Sequence, residues 1–333
     1  MKQASATVRD VARVAEVSVA SVSRALNGHS SVHPDMRARV LAAAKTLGYV
    51  PHAGARSLSL ARSHAIGVVL PDLYGEFFSE IVRGMDREVT ARGYHLLLSN
   101  MHADAALAAQ AMRSMRGRVD GLIVMAPQLD TAELDEALPR DVPAVLVNCR
   151  ETVGRAAYRI DNTAGITAAV AHLAATGRRR LLHISGPEGN IDGRERRDAF
   201  LAAMAVHAPG IAPIVVAGDF REESGVAAVR RLIESGETCD GIVAANDMMA
   251  LGAMSALREA GMAVPGDIAV TGFDDVPLAR YLGLTTVRIT LAEMGARATA
   301  RLIDALDGGA LSPDTEIIAT ELIIRSTTGP LPT

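Results

Sequence analysis

Residues 7–28 read TVRDVARVAEVSVASVSRALNG, and the folding signals packed into them decide what the head of this chain is. Thr7 can cap a helix that starts at Val8, since a threonine hydroxyl accepts from first-turn amides and Asp10, three places on, can answer to the Thr7 amide. A turn follows at Glu16-Val17. Ser18 then caps a second helix over VASVSRALN, and Gly28 is a natural left-handed residue to end it. Pro34 suits the first position of a third helix that runs through MRARVLAAAKTL and stops at Gly48. Met36, Val40, Leu41, Ala44 and Leu47 share one face of that helix and are predicted to close a three-helix core. Two short helices across a tight turn, braced by a third, make a helix-turn-helix whose second helix is shaped for a DNA major groove.

The charge around this segment agrees. The whole chain of 333 residues carries a net charge of -4, but residues 1–62 hold nine Lys/Arg against three Asp/Glu, a net of +6, which leaves -10 on the rest. A basic head on an acidic body expects the head to meet a polyanion and the body not to. From Ala65 onward the apolar runs AIGVVL, YHLLLS, GLIVMA and PAVLVN alternate with helical patterns, and after Asn162 the rhythm resumes with RLLHIS, PIVVAG, DGIVAAN and DIAVTGF. Such unbroken runs predict parallel strands covered on both faces, in two similar halves that meet near residues 161–164. The fold expected is therefore a small all-α helix-turn-helix domain followed by a two-lobed α/β domain with parallel sheets.

Several function classes are disfavoured. No apolar run reaches the ~18 residues of a membrane span, and the start MKQASATVRD lacks an export signal, so a cytoplasmic protein without a membrane partner is expected. Cys149 and Cys239 show no metal-ligand spacing and are expected to be small buried apolar residues, with no metal and no cofactor implied. The chain has no GxGxxG after the first strand, no GxxxxGK[ST] and no GxSxG, which argues against an enzyme. A transporter's solute-binding protein would suit the body alone, but not the basic head.

The segments TVRDVARVAEVSVASVSRALNG, GYVPHAGARSL, IGVVLPDLYGEFFSEIVRGM, VDGLIV, ISGPEGNIDGRERRDAF, GDF, VAANDMMALGAM and AVTGFDD together resemble the LacI/GalR family of repressors over nearly the whole chain. The resemblance implies a helix-turn-helix domain in residues 1–50, a hinge helix or linker in 51–63, and an effector domain in 64–333 built like periplasmic sugar-binding proteins. Its first lobe would comprise about 64–161 and 291–319, its second about 162–290 and 320–333, with crossings near Asp161, Thr290 and Ala319. It further implies a repressor of carbohydrate uptake or catabolism genes that binds a pseudo-palindromic operator, under control of a small sugar-like effector. A nucleoside is also compatible, and the effector is either an inducer or a corepressor. Tetrameric members carry an added leucine-heptad helix, whereas this sequence stops soon after ELIIRSTTGP, so a homodimer is expected.

Carried over residue by residue, the resemblance places Val19 and Ala20 against thymine methyls and Arg24 on guanine, with a phosphate as the alternative for Arg24. Thr7, Ser21, Ser23 and Asn27 would fasten the head to phosphates, and Leu58 would wedge into the minor groove. For the effector, Arg196 would donate two hydrogen bonds to vicinal hydroxyls or a carboxylate, facing Asp274 and Asn246 across the ligand. Phe220 would lay its ring on a sugar, and Asn148 and Asp72 would complete the polar lining. Asn148 and Asp72 fall in the first lobe and the others in the second, so a ligand bridging them would couple lobe closure to the grip on DNA. After FDDVPLARYLG the chain reaches LTTV without the family's usual paired prolines, which shortens that loop.

Overall fold

The structure, a computed structural model, describes residues 6–27, 29, 31–50, 62–102, 104–150 and 154–329. The chain divides into two compact units, one running to Ala65 and taking in Gly117–Asp120, the other made of the remainder. Gly28 and the hinge residues 51–61, Leu58 among them, lie outside the described residues.

The first unit holds α1 (Val8–Val14), α2 (Val19–Leu26) and α3 (Pro34–Thr46). Thr7 and Asp10 form a full capping box on α1, and the Ser18 hydroxyl accepts from the Ser21 amide at 3.1 Å to start α2. Glu16 takes the left-handed conformation, φ 55°, that turns the chain between them. The core beneath is built from small residues: Val11, Ala12, Ala15, Val22, Ala25, Val40, Ala43 and Ala44. One expectation fails here, because Leu41 is 50% exposed and Ala43 faces inward instead. At ~100° per residue, position 41 swings off the stripe that 36, 40, 43, 44 and 47 follow.

In the second unit two six-stranded sheets repeat one plan. The first contains β1 (Ala65–Leu70), β2 (His95–Asn100), β3 (Gly121–Met125), β4 (Ala144–Val147), β5 (Ala157–Ile160) and β11 (Thr315–Ile318), in the order β11-β5-β4-β3-β1-β2. The second contains β6 (Leu181–Ser185), β7 (Ile214–Ala217), β8 (Gly241–Ala244), β9 (Ala269–Asp274), β10 (Thr285–Arg288) and β12 (Glu321–Ile323), in the order β12-β10-β9-β8-β6-β7. β9 and β10 pair in parallel, as do β1 with β3 and β6 with β8, whereas β12 runs antiparallel to β10. β1, β3, β6, β8 and β9 are buried along their whole length. β2 and β7 are not, contrary to their apolar sequences, because each is an edge strand that its flanking helices cover only in part.

The chain passes between the sheets three times: from β5 into α7 (Asn162–Ala175), from β10 into α12 (Leu291–Leu306), and from β11 to β12. On the first sheet α4 (Glu76–Ala91) packs with α12, and α5 (Ala105–Met115) with α6 (Thr131–Ala137). On the second, α7 packs with α8 (Ile191–His207), and α9 (Glu222–Ser235) with α10 (Asp247–Glu259). The short α11 (Pro277–Tyr281) follows β9. Two helix pairs meet backbone to backbone at glycines. A Cβ on Gly84 of α4 would stand 1.8 Å from the Ala292 carbonyl of α12, and one on Gly252 of α10 would stand 2.0 Å from the Glu222 carbonyl of α9. Cys149 is buried, as expected, with burial pushing its thiol up to about 12, while Cys239 is only partly buried beside the second sheet's core. Among the described residues no helix is long and apolar enough to cross a membrane.

Candidate functional site

The carboxyl ends of the strands of both sheets converge on one cavity of about 350 Å³. Ligands of open α/β sheets gather at such strand ends, where loops rather than ladder hydrogen bonds set the side chains. From the first sheet, the β1–α4 segment supplies Asp72, Tyr74, Gly75, Phe77 and Phe78, and the end of β3 supplies Met125, Pro127 and Gln128. Asp72 is fixed by accepting from the amides of Leu73 at 2.7 Å and Tyr74 at 3.3 Å. Phe77 and Phe78 stand edge to face, 5.1 Å between ring centres.

The second sheet supplies the charged floor. Asn190 caps α8 by accepting from the amides of Asp192 and Gly193, which sets Asp192 and Arg196 one helical turn apart on the same face. Asn162, buried at the start of α7, donates to Asp192 Oδ1 at 2.8 Å and accepts from Arg196 Nε at 2.8 Å. Arg196 also donates from Nη1 to the Ala245 carbonyl at 2.5 Å, lies 3.6 Å from Asp274 Oδ1, and rests 3.7 Å over the Phe273 ring. What it has left for a ligand is Nη2. Burial raises the pKa of both Asp274 and Asp192, with the Arg196 charge pulling each back down. Asp274 Oδ1 is buried without a hydrogen bond, an acceptor for which a ligand hydroxyl would be a partner.

The backbone around the cavity is strained. Phe220 and Asp274, both in its wall, have positive φ, at 71° and 112°. Side-chain-bearing residues hold that conformation only where their surroundings impose it, and such residues cluster at binding sites. Gly186 makes room for one of them, since a Cβ there would lie 2.3 Å from the Phe220 ring. Asn246 caps α10 by accepting from the Met249 amide at 3.0 Å and donates to the Phe220 carbonyl at 2.9 Å.

Of the six effector positions expected from sequence, the cavity brings together Asp72, Arg196, Phe220, Asn246 and Asp274. Asn148 is not part of its wall: it is buried at the end of β4, and neither side-chain amide atom has a hydrogen bond. Asn246 lines the wall, but its amide serves the protein, capping a helix and holding the Phe220 loop, rather than standing free for a ligand. Tyr74, Phe77, Phe78, Gln128, Asp192 and Arg221 were missed. The signals available were EFFSE directly after the first strand and the spacing of four between Asp192 and Arg196.

On the head, Val19, Ala20 and Arg24 form the exposed face of α2, opposite buried Val22 and Ala25. Arg24 Nε folds back on the Ala20 carbonyl at 3.3 Å. Ser21 bonds Ser18, and Asn27 donates to Ser23 Oγ at 3.4 Å. The Thr7 hydroxyl donates to Asp10 at 2.7 Å.

Comparison with known proteins places this geometry. The pattern described as "Bacterial regulatory proteins, lacI family" matches residues 7–52, and that of the "Periplasmic binding protein-like domain" matches residues 170–328. The ribose operon repressor of Halalkalibacterium halodurans is 33% identical over 325 residues, covering 97% of each chain. The ribose operon repressor of Escherichia coli (strain K12) is 35% identical over 305 residues, covering 90% of this chain and 92% of that protein. A crystal structure of the lac repressor dimer bound to operator and the anti-inducer ONPF superposes with a TM-score of 0.87 at 28% identity, covering 98% of this chain and all of the other.

Proposed function

From the fact that this chain belongs to the LacI family of bacterial regulatory proteins, we propose that it is the repressor of a sugar uptake or catabolism operon, released from or fixed to its operator by a sugar held in the cavity described above. The observation that carries the reading is the joining of two parts in one chain. One is a helix-turn-helix unit whose α2 leaves Val19, Ala20 and Arg24 exposed; the other is a cavity that both sheets line and whose acidic and aromatic groups suit hydroxyls and a sugar ring. Its relatives are transcriptional repressors, and the role inferred is regulatory rather than catalytic.

In this reading Arg24 reads a guanine in each half-site, while Ser21, Ser23, Asn27 and Thr7 meet phosphates. A homodimer presents two such heads to a pseudo-palindrome, as symmetry requires. The effector contacts are Arg196, Asp192, Asp274, Phe77, Phe78 and Phe220, with D-ribose the first sugar to try in view of the named relatives. Because the contacts are divided between the two sheets, a ligand alters their closure by its differential affinity and so the operator affinity.

The test is a thermal-shift screen of neutral monosaccharides followed by operator gel shifts with and without the binder. A sugar at 100 times its dissociation constant should stabilise by ~2.7 kcal/mol and change operator affinity. A sugar that stabilises the protein yet leaves operator binding untouched would refute the coupling; no stabilisation by any sugar would refute the effector class.

A further inference from the structure

The cavity is richer in carboxylates than in cations. Asp72, Asp192, Asp219 and Asp274 line it, against Arg196 and Arg221. Neither guanidinium can offer an anion a two-pronged grip, since Arg196 keeps only Nη2 and Arg221 is already bound to Asp72. Arg196 is buried and divided among Asn162, the Ala245 carbonyl and Asp274. Arg221 is half-exposed at the mouth, where its Nη2 donates to Asp72 Oδ2 at 3.0 Å and its guanidinium lies 4.9 Å from the centre of the Tyr74 ring. The Tyr74 hydroxyl donates in turn to Glu222 at 2.8 Å.

Helix starts are the usual alternative for an anion, since their free amides and dipole draw negative charge. The N-caps of four helices line this cavity: Gly75 for α4, Asn190 for α8, Arg221 for α9 and Asn246 for α10. Each of these helices carries its own acid in the first turn, respectively Glu76, Asp192, the pair Glu222 and Glu223, and Asp247. The Asn190 and Asn246 side chains also take up first-turn amides of α8 and α10. At α8 and α10 the amides that would cradle a phosphate are already taken by the protein, and at α4 and α9 the helix's own first-turn acids oppose one.

We propose that this cavity admits uncharged sugars and rejects their phosphate esters and acids, and that Asp72 is the residue that decides it, by holding the Arg221 guanidinium that would otherwise meet a phosphate at the mouth. The proposal rests on the cavity being the effector site. It assigns Asp72 a role in specificity that its contacts alone, a loop turn and a surface ion pair, do not announce.

The experiment is calorimetric titration of inorganic phosphate, D-ribose 5-phosphate and D-ribose into the full chain as wild type, Asp72→Asn, and Asp72→Asn with Arg221→Met. Asparagine retains an oxygen for the Leu73 and Tyr74 amides while losing the charge. Wild type should bind neither phosphate nor the ester. In Asp72→Asn the affinity for the ester relative to the free sugar should rise ~10-fold or more, the usual weight of one charge-assisted hydrogen bond. The double variant should lose that gain. Wild type binding the ester as well as the free sugar, or Asp72→Asn gaining no affinity for either phosphate probe, would overturn the proposal. If D-ribose fails to bind at all, ribose falls as the effector, while inorganic phosphate, which needs no sugar, still decides whether Asp72 excludes anions.

Discussion

Asp247 stands at the first position of α10, wholly buried, accepting from the Val276 amide at 2.9 Å and from the Thr286 hydroxyl. Burial raises its carboxyl from the ordinary 3.8 to about 7, with nearby Asp275 adding to the rise. The folded chain thus holds this proton more tightly than the unfolded chain, so the stability it contributes is fullest below pH 3.8 and is lost as pH climbs toward 7. Asp247→Asn, neutral throughout, can accept from Val276 and donate to Thr286. Its stability relative to wild type should therefore improve between about pH 4 and pH 7, by ~4 kcal/mol at most, in paired denaturant titrations. A pH-independent difference would show that Asp247 does not titrate there. In the cavity, Asp274→Asn takes away the acceptor that a ligand hydroxyl would meet, so effector affinity should drop ~10-fold or more, and it takes from buried Arg196 the charge 3.6 Å away, so the free protein should melt lower as well. Arg196→Ala should do both kinds of damage, since it strands Asn162 Oδ1 and the Ala245 carbonyl at a cost of ~1–3 kcal/mol each. Arg196 and Asp274 were legible because the family resemblance carries them over position by position, in RERRDAF and GFDD. Phe77 and Phe78 were not, since paired phenylalanines in the first turn of an amphipathic helix look the same whether they face a core or a cavity. Asp192 was equally hidden, as an acid where any helix start favours one.

At the scale of the element, the capping signals translated directly into structure: Thr7 with Asp10, Ser18 and Pro34 each start the helix that their chemistry predicts. Local hydrogen bonds decide such starts, so sequence exposes them. Ser18→Ala should lower the stability of the head by ~1 kcal/mol and weaken operator binding in proportion, read by urea unfolding and gel shift. What lies beyond local reach was misjudged, as with β2 and β7, whose apolar runs cannot report that no further strand covers them. Gly252 presents the opposite case, in which local preference and packing disagree. Alanine favours a helix interior over glycine by ~1 kcal/mol, yet here its Cβ would press on the Glu222 carbonyl 2.0 Å away and drive α9 from α10. Gly252→Ala should therefore destabilise, by ~1–3 kcal/mol, and weaken sugar binding as well, because α9 begins at the cavity wall. A variant as stable as wild type would show that the two helices can part freely.

For the whole molecule, the family and the head point to a dimer, and light scattering should report about twice 34.9 kDa. The βαβ rhythm made the two-sheet body readable from the residues themselves, whereas the cavity wall, assembled from strand ends far apart in sequence such as Asp72 and Asp274, was readable only through the family resemblance. The three passages of the chain between the sheets bear on how this protein is made. A ribosome that has reached Ile289 has delivered five strands of the second sheet and lacks only β12 there. The first sheet began far earlier, yet it still lacks β11, which pairs Thr315 with Ala157, and the α12 layer that packs on α4. The older half therefore waits longest for completion, with the apolar side of α4 uncovered meanwhile. A stop codon between β10 and β11 should consequently damage the first lobe as much as the second, although the first lobe's strands β1 to β5 were made long before.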